Sequence, residues 1–244
     1  AGVIGFGHVL FRLGIPYNSE KAVRFAKRMA KFIKKEYEKA SLELAKIRGP
    51  FPNFDVSTYK GTAERYRNCT MFTIAPTGTV SMIANTTSGI EPVFSLAYER
   101  RTFFNEDKDN RPTEVLLYLD PILEEALKEK KIYSKKLVKK ILDNGGSLHG
   151  IDEIPEDIRK TFVTTHDINW EYHVKIQAAW QSYADNSVSK TINMKHEATV
   201  DDIRDAYMLA WKLGCKGVTI YRDGSKMDQV LATKKTKEKE KKND

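Results

Sequence analysis

TIAPTGTVSMIANTTSGIEP, Thr73–Pro92, joins an apolar run to a Pro-Thr-Gly-Thr turn and then to a short helical pattern. Thr73-Ile74-Ala75 suits a buried strand, and Pro76 ends strand pairing because it has no N–H to give. Thr77 and Thr79 offer hydroxyls, Gly78 permits a backbone geometry or a close approach that a side chain would block, and Val80–Ala84 suits the first turns of a helix. A strand-to-helix junction of this kind directs free N–H groups and the positive end of the helix dipole into one concavity, whose natural guest is a phosphate. It is not a Walker loop, since the turn has no lysine and no Gly-Lys-Ser/Thr. An ordinary turn with Thr79 as helix N-cap accounts for the same residues. On spacing alone both readings stay open.

Working outward, the alternation of helices with short apolar or β-branched runs predicts an α/β fold with parallel strands. Before the junction, Ser19 caps a long helix from Glu20 to about Ile47, whose apolar residues recur every three or four positions and which Gly49-Pro50 ends. After it, Val93–Tyr98 reads as a strand and residues 100–112 as a charged loop. From Thr113 the spacing of Val115, Leu116, Leu119, Ile122, Leu123, Ala126 and Leu127 predicts a helix. Further helices are predicted over Ser134–Leu142, from Pro155 onward, over Glu171–Tyr183, and over Thr199–Leu213 with a capping box from Thr199 to Asp202. Residues 187–194, SVSKTINM, and the run CKGVTIYRDG read as strands, the second closing in a turn.

Composition bounds the function. At 244 residues the chain is long enough for one sizeable core or for part of a larger one. It has no apolar run of the ~18 residues that a membrane helix needs, and we read it as soluble and cytoplasmic. The net charge of +8 invites nucleic acid as a partner, but residues 234–244 hold six Lys against two Glu and one Asp. Much of the excess therefore lies in a basic tail, residues 231–244, predicted to be disordered, and the rest is interspersed with Glu on helices, as on a solvated surface. Cys69 and Cys215 have no metal-like spacing, and we expect two free, buried thiols. His166, Asp167 and His173 fit no common metal site either, so a structural role is expected of them and no metal site is assigned. Glu91 is expected to cap or orient the loop, Asp185 and Asn186 to lie before a strand, and Arg222-Asp223 to make a local turn contact with Gly224.

The wider context adds a resemblance. RNCTMFTIAPTGTVSMIANTTSGIEP (residues 67–92), HVKIQAAWQSYADNSVSKTINM (173–194) and AYMLAWKLGCKGVTIYRDGS (206–225) are similar to segments of ribonucleotide reductase catalytic subunits. GVIGFGHVLFRLGIPY (2–17) and KASLELAKIRGPFPNF (39–54) resemble the same family, in the same order along the chain. The resemblance implies that residues 1–230 are the C-terminal portion of a ten-stranded α/β barrel that reduces ribonucleotides through a thiyl radical. It implies that Pro76, Thr77, Gly78, Thr79, Val80 and Ser81 form the substrate diphosphate-binding loop, with Thr79 and Ser81 donating hydroxyl bonds. The pattern resembles the adenosylcobalamin (vitamin B12) branch. In the branch that imports its radical, two adjacent tyrosines relay it, and here the matching positions read Ile220-Tyr221.

Departures from the family pattern set limits. There is no Asn-x-Cys-x-Glu, the motif of the radical cysteine, and neither Cys69 nor Cys215 stands where the family places catalytic thiols. No catalytic residue is therefore assigned in this chain. The resemblance implies three partners: a ribonucleoside di- or triphosphate, a chain or segment carrying the N-terminal half of the barrel, and a thioredoxin-type reductant. Two alternatives stand beside it: a fragment of an imported-radical (class I) large subunit, and a non-catalytic nucleotide- or nucleic-acid-binding module.

Overall fold

A computed structural model describes residues 1–102 and 114–225. Most of the expected charged loop and the expected basic tail at 231–244 lie outside the described residues.

The helices start where the sequence supplies caps. Helix α1, Phe6–Arg12, is followed by the long α2, Glu20–Arg48, whose first turn is closed by the Ser19 hydroxyl accepting from Ala22 N–H at 3.1 Å. Gly49 stops α2 at φ 73°, in the left-handed region where glycine carries no steric penalty. The short α3, Gly78–Ile83, follows the Thr73–Ala75 run. That run is less regular than a strand: among the described residues its ladder contact is a single parallel bridge between Ile74 and Val188. It is nonetheless tied down, because Asp185 N–H donates to the Phe72 carbonyl and Ser189 N–H to the Ile74 carbonyl.

The next elements correct the sequence expectation. Strand β1 is Ala97–Thr102 rather than Val93–Tyr98, and β2 is Glu114–Leu119, the first half of the expected helix. They pair antiparallel, Ala97 opposite Leu119 and Thr102 opposite Glu114. A short continuous apolar run fits either period, and here partner strand and proline decide. Pro121 disfavours helical geometry at Asp120, which is extended at φ −53°, ψ 125° and caps α4, Pro121–Glu129, through Ile122 and Leu123 N–H. Helices α5, Lys135–Asp143, and α6, Glu156–Thr161, start after Ser134 and Pro155 as expected.

The C-terminal part is a parallel unit. Helix α7, Trp170–Gln181, leads to β3, Thr191–Met194, which pairs parallel with β4, Thr219–Arg222, across α8, Val200–Lys212. The Thr199–Asp202 capping box starts α8. Three apolar clusters hold the chain. One packs α1, α2 and α7 around Trp180, Phe72, Ile74 and Ile90; the second joins β1 to α4, α5 and α6; the third joins β3 to α7 and α8.

One smaller expectation changes. Cys69 is exposed and Cys215 only partly buried, so neither is a core residue. The turn expected at Arg222-Asp223-Gly224 is present, closed by Ser225 N–H on the Arg222 carbonyl at 3.1 Å; Arg222 Nε also donates to the Ala198 carbonyl, and the Asp223 carbonyl meets His196 Nδ1 at 3.0 Å.

Candidate functional site: the Thr77–Glu91 loop

The six residues singled out in the sequence lie together at the start of α3, but they do not all face the same way. Pro76, Gly78, Thr79 and Val80 are exposed, Thr77 is half-buried, and Ser81 is buried. The N-cap position lies two residues before the expected one, at Thr77 rather than Thr79, and the helix begins at Gly78.

Thr77 does not cap α3. Its hydroxyl oxygen accepts from Gly89 N–H at 2.9 Å and lies 3.1 Å from Ser88 Oγ, drawing the two ends of the loop together. Among the described residues the first acceptor used inside the turn is the Thr77 carbonyl, which takes Ser81 N–H at 2.8 Å. The N–H groups of Gly78, Thr79 and Val80 therefore point outward, with no described protein acceptor. Such groups attract an anion.

Ser81 has another partner: its hydroxyl donates to the Gly78 carbonyl at 2.8 Å, closing the first turn from inside. Gly78 is neither strained nor crowded. Its φ is not positive, and a Cβ there would meet nothing within 4 Å. Nothing among the described residues demands glycine at that position.

The rest of the loop is fixed by contacts that sequence reading did not supply. Helix α1 packs so closely that a Cβ on Gly7 would come within 2.8 Å of the Glu91 carbonyl. Gly5 and Phe6 N–H donate to the carbonyls of Thr87 and Gly89, and Gly7 N–H to the Thr87 hydroxyl. Tyr17 O–H donates to the Ile90 carbonyl at 2.8 Å. At the far end of α3, the Thr86 hydroxyl meets His8 Nδ1 at 3.1 Å, and His8 Nε2 lies 2.8 Å from the Asp120 carboxylate. Glu91 does serve the loop, though by reaching away from it: its Oε1 accepts Thr191 N–H at 2.8 Å.

The other polar residues weighed in the sequence are structural. His173 is fully buried between Lys190 Nζ and the Thr165 carbonyl, and Asp167 accepts from Ser147 and Thr164. Burial pushes His166 below the usual imidazole range, and its ring stands edge-on to Phe94. Asp185 accepts Met71 and Phe72 N–H and pairs with Lys34. Among the described residues no group of three His, Cys, Asp or Glu side chains is placed to hold a metal ion, and no helix is long and apolar enough to cross a membrane.

Comparison with known proteins decides what this loop belongs to. The family model described as ribonucleotide reductase, barrel domain, matches residues 1–66 and 60–221. The chain belongs to the ribonucleotide reductase barrel family. It is similar to the vitamin B12-dependent ribonucleoside-diphosphate reductase of Thermoplasma acidophilum, with 43% identity over 98% of this chain and 30% of that protein. The enzyme of the same description from Mycobacterium tuberculosis (strain H37Rv) is 39% identical over 95% of this chain and 31% of its own length. Among solved structures, the Actinobacillus ureae class Id ribonucleotide reductase alpha subunit superposes with a TM-score of 0.74 at 25% identity, over 91% of this chain and 38% of that one. The α/β barrel-type fold expected from the sequence is thus the fold of the family. The chain spans about 30% of the length of these reductase relatives.

Proposed function

We propose that this chain is the substrate-phosphate part of the barrel of an adenosylcobalamin-dependent ribonucleotide reductase, an oxidoreductase that converts ribonucleotides to deoxyribonucleotides. The observation that carries the reading is the outward N–H row of Gly78, Thr79 and Val80 in a chain of this family. A nucleoside diphosphate is the guest it fits. Three N–H donors, the Thr79 hydroxyl and the positive end of α3 meet the phosphate oxygens, and charge-assisted bonds of this kind contribute roughly 1.5–3 kcal/mol each. Thr77 holds the loop closed behind them, while Pro76 stiffens its entry. Ser81 shapes the first turn; to bond phosphate itself it would have to leave the Gly78 carbonyl.

The B12 branch is favoured by identity of 39–43% to enzymes named for that vitamin, against 25% to the class Id subunit. Adenosylcobalamin would supply the radical. No residue of this chain is assigned to hold it: His8, the imidazole beside the loop, is already held between Thr86 and Asp120. No step is routed through the cofactor here. The radical cysteine and the other barrel strands are assigned to another segment or chain of the complete enzyme, and the reductant to a thioredoxin-type protein. Val80, Met82 and Ile83 on the outer face of α3 are 57–83% exposed, which fits a segment of the complete barrel lying over them.

The test is Thr79→Val combined with Gly78→Val in the assembled reductase. The space around Gly78 predicts that the double variant folds, and nucleoside diphosphate affinity should fall at least about tenfold, the equivalent of one charge-assisted bond. Unchanged affinity overturns the loop assignment. Co-purification of a polypeptide carrying Asn-x-Cys-x-Glu supports the enzyme reading, whereas salt-sensitive DNA binding by this chain alone supports a nucleic-acid module instead.

A further inference from the structure

The residue that leads into strand β3 is a buried lysine. Val188, Lys190, Ile192 and Met194 alternate inward, and Lys190 is 2% exposed. A buried ammonium must find partners, and Nζ has two: His173 Nδ1 at 2.8 Å and the Thr191 carbonyl at 2.9 Å. The Tyr17 ring lies 6.0 Å from it. For the ammonium to donate, Nδ1 must be the acceptor, so the imidazole proton sits on Nε2 and is donated to the Thr165 carbonyl at 3.2 Å. Burial, followed by the neighbouring lysine charge, keeps His173 neutral by pushing it well below its usual range.

The charge that answers Lys190 is Glu91. Burial lowers the lysine to about 8, and the Glu91 carboxylate works against that by favouring the charged form. The two also grip one residue from both sides: Glu91 takes Thr191 N–H, and Lys190 takes the Thr191 carbonyl. Glu91 in turn closes the loop, since its N–H donates to the Ser88 carbonyl at 2.8 Å while Ser88 and Gly89 hold the Thr77 hydroxyl. A connected path thus runs from the buried face of β3 to the open end of α3.

We infer that Lys190 is a positioning residue for nucleoside diphosphate binding, its buried ammonium acting through Glu91 to fix the Ser88–Glu91 turn and, through Thr77, the open N–H groups of residues 78–80. This rests on the phosphate-loop reading above. Lys190 lies too deep to touch the substrate, so it acts on binding rather than on chemistry.

The experiment uses the assembled reductase with Lys190→Met, Glu91→Gln and the two together, with the Thr79→Val, Gly78→Val enzyme as reference. Gln keeps a carbonyl acceptor for Thr191 N–H while removing the charge, so it tests the electrostatic link even where Lys190→Met fails to fold. Each single variant should raise KM for the nucleoside diphosphate about five- to tenfold with kcat within about twofold. In the double variant the increase should be no larger than in the worse single one, because both changes cut the same link. Unchanged KM in folded Glu91→Gln, or multiplicative effects in the double variant, overturns the inference. If the reference enzyme loses affinity while the Lys190 and Glu91 variants keep it, the positioning role falls and the phosphate loop stands; if the reference also keeps it, both fall.

Discussion

The Thr77 hydroxyl accepts Gly89 N–H at 2.9 Å, and by doing so it leaves the helix that it precedes uncapped. Ser19, Asp120, Ser134 and Thr199 each accept from the first turn of the helix that they precede, whereas α3, like α7, has no side-chain cap. At α3 the side chain instead closes the loop, and the proposed phosphate guest would meet the N–H groups of the first turn. Thr77→Val removes the acceptor and leaves a buried Gly89 N–H unpaired, a change that costs about 1–3 kcal/mol. Denaturant melts should show that loss, and nucleoside diphosphate affinity of the assembled enzyme should fall with it.

Asp120 performs two tasks that Ser134 does not. One oxygen of its carboxylate caps Ile122 and Leu123, and the other holds His8, which reaches Thr86 behind the loop. Asp120→Ala should therefore cost about 2–3 kcal/mol, against about 1 kcal/mol for the simple cap Ser134→Ala. Equal losses would show that the His8 link carries no weight.

Alkaline pH tests the buried lysine. Lys190 is lowered to about 8 in the folded chain, against roughly 10.4 for a free lysine. Between those values the unfolded state binds more protons, so this group makes stability rise with pH across that window. Lys190→Met should flatten the rise, measured as denaturation midpoints from pH 7 to 10.

At acid pH the corresponding group is Asp185. Burial pushes its carboxyl up, but the Lys34 ammonium and the N–H groups of Met71 and Phe72 outweigh burial and hold it below the usual range. Its stabilisation is complete above about pH 3.9 and is lost as pH falls through the lower folded value. Asp185→Asn should reduce stability at pH 7 and shrink the acid-induced loss, read from the same midpoints between pH 2 and 6.

The two thiols should separate cleanly. Cys69 is exposed, whereas burial pushes Cys215 up to about 11, which leaves little thiolate at pH 8. A thiol reagent should modify Cys69 first, as peptide mapping of the labelled protein would show.

Much of this protein was legible in the order of its residues. Ser19, Ser134, Thr199 and Gly49 mark helix ends by local chemistry alone, and each lies where the structure starts or stops a helix. The stretch Thr73–Pro92 announced a junction with hydroxyls and a glycine, because proline and glycine restrict or free the backbone within one or two residues. The run 114–119 did not announce its state. Its apolar spacing fits a helix, and the antiparallel partner 97–102 together with Pro121 made it a strand.

The direction in which each loop side chain faces was likewise a tertiary matter. Thr77 turns to Gly89, Ser81 to Gly78 and Glu91 to Thr191, choices that depend on acceptors and donors up to 100 residues away. Lys190 shows the boundary between the two. The sequence reads 187–194 as a strand, but that Val188, Lys190, Ile192 and Met194 turn inward is decided by packing. Only the folded chain brings His173 and Glu91 to it, because a buried charge is tolerated solely where distant partners converge.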